Sequence, residues 1–340
     1  MANIFAIDIG DRYTRLVELK ENNKKIEILT MGYNKTAPNF YNSESLKNIE
    51  QQAAIINEIY SSLKIKERSV RIIIPDTYSF YQIITVPLLN EKELQSAIRY
   101  QADQFIPLPI DDVSLDIEVL NEDKKKRQAS ILIVASPKKL IAQIERTIDY
   151  GGLFPEVVEN EYNAARRMIL NKRLAGLSDQ TTYIIINFGF NTSTLYLVNI
   201  EQKIFLNHNL KIGLQILIKD IKANLNIDDE KAYEILQTIG FSSSGSTEIK
   251  PYITPIIDEL VKEVNRLTVL AKERYNLTPQ QIYLFNYDSF ICELDKHIEK
   301  TVPLPTAAIP LDQIIVKNNL VANYQKELTS FFSVVATSLP

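Results

Sequence analysis

The chain has a single cysteine, Cys292, and two histidines, His208 and His297, among 340 residues. A lone cysteine excludes a disulfide framework and a cysteine-based structural zinc site, and it fits a reducing compartment. Two histidines are too few for a histidine-rich metal site. No Cys-His or Ser-His nucleophile signature surrounds them, so each reads as an ordinary strand or helix residue. An excess of positive charge is also missing: the formal net charge is −4 and the pI near 5.5, which gives no electrostatic case for nucleic acid. The cluster Lys124-Lys125-Lys126-Arg127 reads as solvated loop charge. No run approaches the roughly 18 apolar residues of a membrane span, and no signal-peptide pattern precedes Ile4. A cytoplasmic protein is the expectation.

What the sequence does have is a long, ordinary globular composition, 45% hydrophobic, sufficient for roughly two domains of about 150 residues each. Near its start, Ile4-Phe5-Ala6-Ile7-Asp8-Ile9-Gly10 breaks at Asp-x-Gly and resumes as Leu16 to Leu19, the pattern of a tight hairpin. Gly10 at such a turn permits an unusual backbone and close approach of an N–H to a phosphate, and Asp8 is placed to hold a hydrated Mg²⁺ beside it. On its own the stretch reads more simply as an ordinary hairpin with an Asp-x-Gly corner. A second copy changes its meaning. Tyr183 to Phe190, with Asn187 and Gly189, turns through Asn191-Thr192 and returns as Ser193 to Ile200. A third apolar strand follows each pair, Ile26 to Lys35 and Lys203 to Leu210. One recurrence at such distance implies a duplicated two-domain fold whose two turns face each other across a cleft.

Between the copies, Ser43 to Leu63 has the spacing of an amphipathic helix, and Val70 to Pro75 reads as a buried strand. A block of different character runs from 78 to 151. It predicts a strand at Tyr81 to Pro87, then a helix capped by Asn90 with Leu94, Ala97, Ile98, Gln101 and Phe105 on one face. Strands at Val113 to Leu120 and Ser130 to Ala135 and a helix from Pro137 to Tyr150 follow. A helix from Glu161 to about Leu174 and a linker at 175–180 lead into the second half. There, helices are expected at Leu214 to Leu225, from Asp228 to Gly240, from Pro255 to Tyr275 with Pro255 as its first residue, at Asp288 to Lys300, and at Ala322 to Leu339. Phe241 to Thr247 reads as a loop, and Gln281 to Phe285 as a strand. The apolar final helix suits core docking better than a membrane surface, because Lys and Arg do not flank its apolar side.

The stretch Glu93-Leu94-Gln95-Ser96-Ala97-Ile98-Arg99-Tyr100-Gln101-Ala102-Asp103-Gln104-Phe105-Ile106-Pro107-Leu108-Pro109, followed by Val113-Ser114-Leu115-Asp116, resembles the helix and Leu-Asp strand of the type IV pilus assembly PilM family, the FtsA-like branch of the actin and sugar-kinase superfamily. Asp8-Ile9-Gly10, Gly152-Leu153-Phe154-Pro155 and Phe331 to Leu339 match it as well. The resemblance implies an α/β, actin-like ATPase fold: two ribonuclease H-like domains, at 1–77 plus 152–176 and at 177–340, the second with a smaller subdomain around 215–270. An FtsA-type subdomain is inserted at 78–151. It also implies a cytoplasmic scaffold at the inner face of the membrane that binds the N-terminal tail of a PilN-like membrane protein and communicates with pilus motor ATPases. Tyr100 and Phe105 are the partner-binding candidates, although the helix face that carries Phe105 is equally readable as the subdomain's own core.

In that family the paired turns clasp ATP and Mg²⁺. The matching positions here are Asp8, Gly10, Asp11, Arg15, Asn187, Gly189, Asn191, Thr192, Gly213 and Asn286, with Asp8 the candidate for water-mediated Mg²⁺. The sequence departs from the pattern at several of them. Asn187 replaces an acid, Asp11 stands where the family has Ser, and Arg15 falls at the family's Lys. Leu284-Phe285-Asn286-Tyr287 replaces a Gly-Gly turn; no glycine follows Gly245, and a Tyr287 side chain there is expected to obstruct the base. A scaffold with a degenerate nucleotide site is the leading reading. An ATP-binding or nucleotide-switched protein of the same superfamily is the alternative, and an FtsA-like division protein a third.

Overall fold

The computed structural model describes residues 3–22, 25–89, 91–170, 177–243 and 249–338. The chain opens with β1 (Ile4–Ile9), β2 (Tyr13–Asn22) and β3 (Lys25–Lys35), followed by α1 (Leu46–Ser62) and β4 (Ser69–Ile74). Ser45 caps α1 by accepting the Asn48 N–H at 3.3 Å, one of the orphan donors of a helix start. Next come β5 (Phe80–Pro87), α2 (Glu91–Phe105), β6 (Val113–Asp123), β7 (Gln128–Pro137), α3 (Lys138–Tyr150), β8 (Phe154–Asn160) and α4 (Glu161–Leu170). The second half holds β9 (Thr182–Phe188), β10 (Ser193–Asn199), β11 (Ile204–Leu210), α5 (Leu214–Leu225), α6 (Asp229–Thr238) and α7 (Lys250–Tyr275). It closes with β12 (Pro279–Asn286), α8 (Leu294–Thr301), β13 (Thr306–Ala308), α9 (Asn319–Asn323) and α10 (Phe332–Thr337). The expected cap Asn90, the start of the expected linker at 175–176, the loop residues 244–247 and Leu339 lie outside the described residues.

Two five-stranded sheets share one plan, β3-β2-β1-β4-β8 and β11-β10-β9-β12-β13. In each, three antiparallel strands from consecutive turns are extended by two parallel ones. The repetition continues past the strands. A 3-10 turn beginning with an aspartate, Asp76 to Tyr78 or Asp288 to Phe290, follows β4 in one half and β12 in the other. The strand β5 with β7 and β6 forms a separate three-stranded sheet, and Ile98, Ala102 and Ile106 of α2 and its end pack onto it. These three, rather than the wider face read from the sequence, are the deepest of that segment.

Alternation along the strands sorts the side chains. Phe5, Ile7 and Ile9 enter a core with α1 and α3, whereas Ala6 turns toward a cluster shared by both halves. Asp8 shares Ala6's parity. In β9, Ile184, Ile186 and Phe188 face the outer core with α5 and α7, and Tyr183 and Ile185 face the shared cluster. Asn187 has the parity of that inner pair, so both turn residues look toward the other half.

Three helix expectations are corrected. The final segment is α9, a 3-10 turn at Leu328–Phe331 and α10, in place of one helix. Phe331, Phe332, Val334 and Val335 are fully buried in the shared cluster, because a run apolar on all sides has no solvent face to offer. Helix α7 begins at Lys250, so Pro255 lies inside its second turn; buried Ile249, Ile253 and Ile257 carry the helix through it. The helix expected from Asp288 is delayed to Leu294 by the 3-10 turn.

Candidate functional site

The two hairpin corners meet. Asp8, Gly10, Asp11, Arg15, Asn187, Gly189, Thr192 and Asn286 line one cavity together with Asp76, Glu161 and Tyr287. Of the positions expected there, Asn191 and Gly213 stand back from the lining. Gly213 precedes α5, whose Leu214 N–H donates to the Gly189 carbonyl at 3.0 Å, and a Cβ on Gly213 would run into the Phe190 backbone. The cavity measures about 20 Å³, room for a single water molecule.

Protein groups fill the rest. The β1–β2 register sets Arg15 opposite Asp8, and the Arg15 Nη1 donates to Asp8 Oδ2 at 3.0 Å with both side chains buried. The Arg15 guanidinium also lies 5.1 Å from the centre of the Tyr287 ring, within cation–π range. The Gly10 N–H closes its own turn by donating to the Tyr13 carbonyl at 3.0 Å, which takes it from any phosphate. Glycine is needed there because a Cβ would meet that same carbonyl at 2.7 Å. Tyr78 donates its hydroxyl to Asp11 Oδ1 at 2.7 Å, so Arg15 serves Asp8 and Tyr78 serves Asp11.

The halves are sewn together by Asp76 and Glu161. Asp76 Oδ2 accepts the hydroxyls of Tyr81 and Tyr196 at 3.0 Å and of Thr194 at 3.3 Å, while Oδ1 accepts the Tyr162 N–H at 2.9 Å. The Asp76 N–H donates to Glu161 Oε2 at 3.1 Å, and Ser333 donates to Glu161 Oε1 at 3.0 Å. Thr77 and Thr192 hydroxyls pair at 2.8 Å. Burial pushes Asp8 up to about 7 against the pull of Arg15, and Asp11 up to about 6. Burial, then the neighbouring Glu161, pushes Asp76 up to about 7, and burial raises Glu161 as well. For hydrated Mg²⁺ the fit is poor. Asp8 already faces a fixed guanidinium, and among the described residues no three His, Cys, Asp or Glu side chains form a metal-binding group.

A second feature lies where the inserted sheet meets the first. Its edge strand β6 and the edge strand β8 flank a groove of about 110 Å³, with Ser114, Asp116 and Ser136 on one side and Asn160 and Asn163 on the other. Asn160 is 3% exposed. Its Oδ1 caps α4 by accepting the Asn163 N–H at 3.0 Å, while its Nδ2 and the Asn163 Oδ1 have no hydrogen-bond partner among the described residues. Tyr100 and Phe105 are elsewhere: Tyr100 is 67% exposed on α2, and Phe105 packs against the inserted unit's core.

The family described as type IV pilus assembly protein PilM matches residues 6–339. This chain belongs to the type IV pilus assembly PilM family. The structure is similar to a solved PilM-PilN type IV pilus biogenesis complex, with a TM-score of 0.83 at 21% identity over 99% of this chain and 98% of that one. It is also similar to the ethanolamine utilization protein EutJ from Carboxydothermus hydrogenoformans, with a TM-score of 0.57 at 12% identity over 100% and 90% of the two chains. The fold is the actin-like ATPase fold, α/β and duplicated, with a separate three-stranded unit inserted in its first half. No helix among the described residues of this PilM-family chain is long and apolar enough to cross a membrane. Asp76 and Glu161, central to the cleft, were not among the residues singled out from the sequence. Their signals are weak: an acid just after a strand-ending Pro75, and an acid in the first turn of α4. Asn160 and Asn163 gave no signal beyond the helix start that Asn160 caps.

Proposed function

We propose that the protein is a scaffold of a type IV pilus or related secretion assembly, positioned at the cytoplasmic face of the inner membrane. It holds the cytoplasmic N-terminal tail of a PilN-like membrane protein as an extended segment in the β6–β8 groove and passes that attachment on to the motor ATPases. Family membership and the fold shared with a PilM-PilN complex support the partner class. The observation that carries the groove is the buried Asn160 amide with a free Nδ2, since such a donor is costly to bury without an acceptor. Two strand edges beside it offer main-chain groups to an added segment. Calorimetric titration of the protein with a synthetic PilN-like N-terminal tail tests the reading. Saturable one-to-one binding is expected, and its absence overturns it.

In this reading the interdomain cleft is a degenerate nucleotide site whose cation position is taken by Arg15 and whose base position is crowded by Tyr287. The alternative, a nucleotide-switched protein, is favoured by one fact: Asp8, Gly10, Gly189 and Thr192 do converge. It requires Arg15 to leave a buried ion pair and the roughly 20 Å³ cavity to open. Titration with ATP and Mg²⁺ separates the two readings.

A further inference from the structure

The inserted sheet has another edge strand, β5, and it faces a second groove with β11 and α7 as the opposite wall. This groove measures about 720 Å³, several times the β6–β8 groove, and through Ile83 and Leu206 it continues into a hollow of about 550 Å³. Ile83, Leu206 and Leu270 give it an apolar lining. Like β5, β11 carries a neighbour on one side only, so half of its main-chain N–H and C=O groups are turned away from β10. The Tyr81 hydroxyl on Asn209 Oδ1 at 3.1 Å ties the two walls together.

Charge distinguishes this groove from the rest of the molecule. Arg166, Lys203, Arg266 and Arg274 line the two connected hollows, against Glu263 as their one acid. Glu263 is already engaged by Arg266 and by His208 at 3.2 Å, and Arg166 is engaged by Glu118. Lys203 and Arg274 are exposed and make no ion pair among the described residues. A cationic, apolar-lined channel with two strand edges, of which β11 already gives its Phe205 carbonyl to the Tyr162 hydroxyl at 2.9 Å, is thus built into a chain whose net charge is −4.

We propose that this groove docks an extended acidic peptide of a partner protein, laid as an added strand along β11 with its carboxylates toward Lys203, Arg266 and Arg274. Main-chain pairing supplies the register and the cations supply the selection for acid, the division of labour in strand addition. The site is distinct from the β6–β8 groove, so the two partners can be held together.

The test uses the full chain and a fluorescein-labelled octapeptide alternating Glu and Val, followed by anisotropy. Binding is expected, weakened about tenfold or more in the Arg266→Glu/Arg274→Glu variant and by added salt. The same peptide with Lys for Glu should not bind, and hydrogen exchange should slow in residues 204–210 when the acidic peptide is present. Asn160→Asp should leave this binding unchanged, so failure here and failure at the β6–β8 groove are read separately. Equal binding of the Lys peptide or of a thymidine octamer, equal affinity in the double variant, or unchanged exchange along β11 each overturns the proposal.

Discussion

Asn286 donates its side-chain amide to Asn187 Oδ1 at 2.9 Å, and Asn187 passes the chain on by donating from Nδ2 to Glu161 at 3.4 Å. Asn286 holds a left-handed backbone, φ 80°, and asparagine is among the few residues other than glycine that tolerate it. An amide at 187 suits this place because it accepts from one neighbour and donates to the other. A carboxylate there could only accept, and it would face Glu161. Asn187→Asp is therefore expected to destabilise the fold by about 2 kcal/mol at neutral pH. Urea unfolding measures it, and a variant as stable as the parent refutes the argument.

The buried acids make stability depend on pH in the direction opposite to salt-bridged surface carboxylates. Asp8 and Asp76 are pushed up to about 7 and Asp11 to about 6, so between their ordinary value of 3.8 and those values the folded chain holds more protons than the unfolded one. Unfolding then releases protons as pH rises through that window, and stability falls. The urea midpoint is expected to drop from about pH 5 to about pH 8 and to level off above. Asp76→Asn removes one of these groups and flattens part of the slope. It also lowers stability throughout, because an amide NH₂ replaces one of the two oxygens that accept from Tyr81, Tyr196, Thr194 and Tyr162.

Arg15 occupies the cleft as a covalently attached cation. With Asp8 and Arg15 both buried, Arg15→Ala leaves the carboxyl without its partner and is expected to cost about 3 kcal/mol. The parent protein should show no heat of binding with ATP and Mg²⁺. Saturable binding that vanishes in Asp8→Ala would instead favour the nucleotide-switched reading.

The local pattern carried much of this fold, and the non-local part was hidden. Both hairpins, their third strands and the inserted block were legible because alternation and turn residues are short-range signals. The register that pairs Asp8 with Arg15 follows from the first turn alone. What the pattern could not reveal is that Asp76 and Glu161, 85 residues apart, share a hydrogen bond, because that contact exists only once β4 and β8 lie side by side. The broken C-terminal segment was missed for a related reason. Phe331 and Phe332 read as helix, but the space between the two sheets, visible only in the assembled fold, decides where the chain bends.

The sharpest test of the β6–β8 groove is Asn160→Asp. An aspartate keeps the acceptor that caps α4 at the Asn163 N–H, so the helix start survives. It replaces the free Nδ2 donor by a second acceptor, which turns attraction for a peptide carbonyl into repulsion. Affinity for a PilN-like tail is expected to fall about tenfold or more, or about 1.4 kcal/mol; the buried carboxylate also lowers the urea midpoint, so binding is measured where the variant is still folded. Tyr100→Ala, on the exposed face of α2 and outside the groove lining, should stay within about twofold of the parent. If the tyrosine variant loses binding and the aspartate variant does not, the tail lies along α2 and the resemblance placed it better than the groove did.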